Sequence, residues 1–255
     1  MSEKDPDLNI LGLKIAKPFK KLGIKFGFVK DKNGIIWMPW DAYDGYRTPA
    51  ERKGNFNQLE IEDLLITVGM NSRIRAPVVE TFYNGIKNKE EWHREAENLL
   101  AALDLNLHLA DADDHNIERV AKLFHILKNV DGIGVAVAGK ILYRKRQRLV
   151  PMLDSIIQEL VCCLAIRKRG ADKIGCALNK LKDMCGDRKE ALASLCGKFN
   201  QRHGLPEPGL TPLRALESLL WWEAYQPLGE EVDEKIVAYR EADRWSWDEK
   251  KRKWA

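Results

Sequence analysis

The sequence predicts an all-α protein carrying a small β-hairpin near its N-terminus, and three observations lead there. Apolar residues recur at helical spacing from about residue 58 almost to the end. The segment IKFGFVKDKNGIIWMPW, by contrast, has apolar and aromatic runs on both sides of Asn33-Gly34, a dipeptide favoured in tight hairpin turns. Hydrophobic residues make up 45% of the 255 positions, enough to build a core without help from a partner.

Taken in order, the hairpin is followed by the turn-rich loop DAYDGYRTPAERKGNFNQ and then by helices expected at about 58–71, 76–87, 89–103, 115–128, 135–147, 153–168, 171–184, 188–202, 211–225 and 230–243. Local chemistry punctuates several of them. Thr211-Pro212 makes an N-cap and first-turn pair, Asp113 or Asp114 can cap the helix that begins near Ile117, and Gly170 can end the helix after Pro151. The expected organisation is an N-terminal extension with the hairpin over 1–55, a helical body over 56–243 and a charged tail over 244–255.

Composition excludes several classes. No run of about 18 apolar residues occurs and the first residues, MSEKDPDLNI, are charged, so no membrane span and no export signal are expected and a cytoplasmic protein is. The cysteines Cys162, Cys163, Cys176, Cys185 and Cys196 form no CxxC pair and fall in apolar stripes of expected helices, which suits buried thiols rather than disulfides or a metal site. No metal is expected. Forty-two basic and thirty-eight acidic side chains leave a net charge of only +4, but residues 128–148 hold six basic residues against the single acid Asp131. That one stretch therefore exceeds the charge of the whole chain.

Within it lies the informative sequence VDGIGVAVAGKILYRKRQRLVPMLDSII. It reads as a tight turn, a helix, a short loop and another helix. Gly132 and Gly134 allow backbone conformations and close approaches closed to other residues, while Ile133 between them can anchor the turn in the core. The start of the following helix would aim the amides near Gly134 and Val135 outward, where the helix dipole favours a phosphate. Lys140, Arg144, Lys145 and Arg146 would add charge for neighbouring phosphates. An ordinary glycine turn followed by a solvated basic face would give the same residues without a ligand.

The pattern Val130, Gly132, Ile133, Gly134, Ala138, Ile141 and Leu142 resembles the helix-hairpin-helix signature, and the residues after it resemble the helix-hairpin-helix DNA glycosylase (HhH-GPD) superfamily. Pro151 matches its proline-containing loop, and Asp154, twenty residues beyond Gly134, matches the aspartate that opens its next helix. The resemblance implies an HhH-GPD-like helical body that docks on duplex DNA, with Asp154 as the catalytic residue: its carboxylate would stabilise the positive charge that develops on deoxyribose as the base leaves. Helix capping is the other reading of Asp154. The Schiff-base lysine of the strand-cutting members has no counterpart, since Ala136 stands at its position, so any enzyme would be a monofunctional glycosylase. Asp131 replaces the usual proline before the first hairpin glycine. No cofactor is implied beyond a monovalent cation at the hairpin carbonyls.

Over roughly residues 40 to 225, from IEDLLITVGMNSRI through YRKRQRLVPMLDS to LRALESLLWWEAY, the chain also resembles a bacterial family known only as a domain of unknown function. A non-catalytic DNA-binding protein and a protein-interaction scaffold are therefore the alternatives to a glycosylase. Steep salt dependence of binding separates the scaffold from the other two. Trp221 and Trp222 end the apolar stripe of Leu213, Leu216, Leu219 and Leu220 and read as core, and Trp245, Trp247 and Trp254 lie in the charged tail.

Overall fold

The computed structural model describes residues 47–70, 72–154, 157–158, 161, 173–203 and 207–225, together with short strands at β1 (Ile24–Lys25), β2 (Phe28–Lys30), β3 (Ile36–Trp37), β4 (Trp247–Asp248) and β5 (Lys253–Trp254). Asn33 and Gly34, on which the expected hairpin turns, lie outside the described residues, as do Gly170 and the helix expected at 230–243. The chain divides into two units, residues 1–221 and 222–255.

The first unit is helical over most of its described length. A short α1 (Pro49–Arg52) opens it with a reciprocal cap, in which Thr48 Oγ1 accepts the Glu51 amide and the Glu51 carboxylate accepts the Thr48 amide. It lies inside the stretch expected to be a loop. The expected helix at 58–71 is instead α2 (Ile61–Leu65) running into a 3₁₀ turn over Ile66–Met70. Thr67 Oγ1 donates to Leu64 O there, offering that carbonyl a partner other than a helical amide.

Then come α3 (Ala76–Lys87), α4 (Glu91–Ala101), α5 (Asp114–Lys128) and α6 (Val135–Lys145), followed after the loop that carries Asp154 by α7 (Lys173–Gly186), α8 (Lys189–His203) and α9 (Pro212–Tyr225). Asp113, one of the two candidates, caps α5 by accepting the Asn116 amide at 2.7 Å. Thr211 caps α9 by accepting the Arg214 amide.

Helix α5 turns Ile117, Val120, Leu123, Phe124 and Leu127 toward α4, α6 and α7 within one continuous apolar cluster. Against it lie Phe82 of α3, Leu100 of α4, Ile141 and Leu142 of α6, and Leu178 and Leu181 of α7. Cys185 and Cys196 are part of the same cluster, and burial pushes both thiols up to about 12. Among the described residues no helix is long and apolar enough to cross a membrane.

Candidate functional site

The turn between α5 and α6 follows from its glycines. Gly132 has φ of +82°, the left-handed region that residues with a Cβ avoid, and a Cβ built there would come 2.3 Å from Val78 Cγ2 of α3. Val130 and Ile133 are buried on either side, and Ile133 N donates to Val130 O, so the turn is pinned to the core while Gly132 and Gly134 are exposed. Gly134 is the N-cap of α6, carries no side chain to satisfy the first amides, and has open space where a Cβ would sit. Val135 and Ala136 follow, half-buried.

The seat of Gly132 on Val78 brings the hairpin against the first turn of α3. Residues 72–75 lead into that turn, and Arg73 and Arg75 are exposed there, as is Lys128 at the last turn of α5. Lys140 Nζ donates to Ser72 Oγ at 3.0 Å, joining α6 to the same segment. Burial holds the Lys140 amine below the usual lysine range; the charge of Asp154 pulls it back up and that of Arg214 pushes it further down. The hairpin, the 72–75 segment and Lys140 are thus neighbours, and the charge of Asp154 reaches Lys140.

Arg144, Lys145 and Arg146 lie elsewhere. They are 3%, 0% and 1% exposed, and the expectation that they face phosphates is corrected by their partners. Glu51 Oε2 lies 2.9 Å from Arg144 Nη2, Glu51 Oε1 3.0 Å from Lys145 Nζ, and Asp63 Oδ2 2.8 Å from Lys145 Nζ, with Asp63 Oδ1 3.8 Å from Arg144 Nε. Two cations and two carboxylates make a neutral unit away from solvent.

Arg146 is held by uncharged acceptors. Its guanidinium donates to the carbonyls of Leu100, Leu103, Phe56 and Lys145 and to Asn57 Oδ1, gathering the C-terminal end of α4 and the segment before α2. Burial lowers its pKa to about 10. The charges of this run therefore hold the fold together and leave Lys140 as the one expected phosphate cation that is not buried.

Asp154 is half-buried and opens the next helical segment, where its Oδ1 accepts the Ile157 amide at 2.8 Å. Its loop is held closely: a Cβ on Gly139 would come 2.9 Å from Leu153 N, and Met152 N donates to Glu217 Oε1 at 2.5 Å. Sequence reasoning missed Ser72, Arg73, Arg75 and Glu217. Only the arginines carried a local signal, their charge just before the Ala76-Pro77 helix start.

Among the described residues no group of three or more His, Cys, Asp or Glu side chains is arranged to hold a metal. No curated protein and no solved structure matches the chain. The likeness to glycosylases therefore rests on the motif residues alone. One family model does match, over residues 35–224, and by that match the chain belongs to the Family of unknown function (DUF6308).

Proposed function

We propose that the protein docks on the backbone of duplex DNA through residues 130–135 and supports monofunctional N-glycosidic base release with Asp154. The observation that carries the docking is the turn itself: Gly132 in the left-handed region, Ile133 anchored in the core and Gly134 exposed as an N-cap with no side chain. Such a turn leaves the first amides of α6 to a phosphate, an interaction favoured by the helix dipole. Arg75, Lys128 and Lys140 supply charge around it, in place of the buried run on α6. In the chemical step the C–N bond to the base breaks, water adds to the sugar carbon, and the base carries away the electron pair and gains a proton. The Asp154 carboxylate would offset the positive charge on the sugar between those events.

A second reading, docking without catalysis, is favoured by one observation: the Asp154 carboxylate already caps Ile157. The test uses duplexes carrying a panel of damaged and mismatched bases, with binding and base release measured for the native protein and Asp154→Asn. Release abolished by the substitution while binding persists supports the enzyme. Salt-sensitive binding with no release supports the second reading, and no binding at all sinks both.

A further inference from the structure

Glu217 sits on α9 at 2% exposure, where an ionised carboxylate is costly unless donors and charges answer it. Two of its partners lie in different directions. Oε1 accepts the Met152 amide at 2.5 Å, and Oε2 lies 3.8 Å from Nη1 of Arg214, one turn back on the same helix. The Arg214 guanidinium in turn lies 5.8 Å over the Tyr143 ring of α6.

Met152 belongs to residues 151–154, a stretch without helix or strand of its own, so its buried amide needs an outside acceptor. The same stretch is pressed against α6, because a Cβ at Gly139 would come 2.9 Å from Leu153 N and 3.3 Å from Pro151 O. Gly139 admits the loop and Glu217 ties it. Lys140 follows Gly139 and Asp154 follows Leu153, so whatever fixes the loop fixes these two side chains relative to each other.

We propose that Glu217 is a positioning residue, which holds Asp154 beside Lys140 by accepting the Met152 amide, with Arg214 as its counter-charge. As a role in catalysis it rests on the reading of Asp154 as the residue that supports base release; as a statement about the loop it does not.

Two variants separate the properties of the carboxylate. Glu217→Asp keeps the charge and loses one methylene of reach, whereas Glu217→Gln keeps the reach and the acceptor and loses the charge. Each is made in the full chain, the titration of the Lys140 side chain is followed by NMR below the unfolding midpoint, and base release is measured alongside.

The expected result is that Glu217→Asp moves the Lys140 titration downward, toward that of Asp154→Asn. It should also lower kcat for base release by about 100-fold, the scale of a misplacement near 1 Å, with KM and salt-dependent affinity close to native. Glu217→Gln should retain most of the native rate. Greater damage from Glu217→Gln than from Glu217→Asp overturns the proposal, because it makes the charge rather than the reach decisive. So does a Glu217→Asp variant that unfolds at lower temperature but leaves the Lys140 titration at its native position. If the native protein releases no base, the catalytic reading of Asp154 fails, and the Lys140 titration still decides whether Glu217 positions the loop.

Discussion

The Lys145 ammonium lies 2.8 Å from the Asp63 carboxylate, and neither side chain reaches solvent. Asp63 also accepts the Glu60 amide, and Glu51 accepts the Thr48 amide, so both carboxylates are held by backbone donors as well as by the cations. Removing one cation leaves buried negative charge with half its compensation. Lys145→Met should therefore cost about 3–5 kcal/mol in denaturant unfolding, while the folded fraction binds duplex as the native protein does. A loss below about 1 kcal/mol would mean the unit behaves as a surface pair.

Burial pushes the Asp63 carboxyl up to about 6 from its ordinary 3.8, against the pull of Lys145. The folded state then holds this proton more tightly than the unfolded chain. The contribution to stability is fully present below 3.8 and is lost as pH rises through about 6. Asp63→Asn removes the titration, so the stability difference, native minus variant, should shrink between pH 4 and pH 7. A flat difference across that window would contradict the assignment.

The two hairpin glycines should respond differently to alanine. Gly132→Ala meets a left-handed backbone and the Val78 methyl, and should cost about 2 kcal/mol or more in thermal or chemical unfolding. Gly134→Ala has φ of −86° and open space for the methyl, so stability should change by well under 1 kcal/mol. Its methyl would stand where a phosphate approaches the α6 amides. Duplex affinity should fall clearly in Gly134→Ala, and unchanged affinity would remove the hairpin from the interface.

Phosphate contacts are counted by salt dependence. Arg75→Ala and Lys128→Ala should each weaken duplex binding evenly across sequences and flatten the slope of log affinity against log salt by about 1, with little effect on unfolding. Arg146→Met should do the reverse: it strips donors from five acceptors, three of them in buried hydrogen bonds, and lowers stability without changing the slope of the protein that remains folded. A flattened slope in Arg146→Met would place that arginine at the interface after all.

Much of the helical framework was legible because helix periodicity and caps are local. The bounds of α3 are those expected from the sequence, and α5, α8 and α9 fall within one residue of theirs. The Thr48–Glu51 capping box that starts α1 was equally readable, but its surroundings of Gly, Asn and charge looked like loop. The candidate site was less legible. Gly132, Ile133 and Gly134 could be chosen from their spacing, whereas the fate of Arg144 and Lys145 depends on carboxylates more than 80 residues earlier. A basic run shows its charge in the sequence and not its partners. Glu217 was invisible for the same reason, since its amide partner lies 65 residues away.

The neutral unit of Glu51, Asp63, Arg144 and Lys145 also restricts how the protein can diverge. Any single replacement strands a charge in the interior, so the four positions can drift only by passing through unstable intermediates or by changing together. Descendants of this chain should inherit them as a set or lose them as a set, even where the surface around them is rewritten. For the same reason a fragment begun at residue 56, the sequence-drawn edge of the helical body, would leave Glu51 behind and carry two cations with the single carboxylate of Asp63 into its own core.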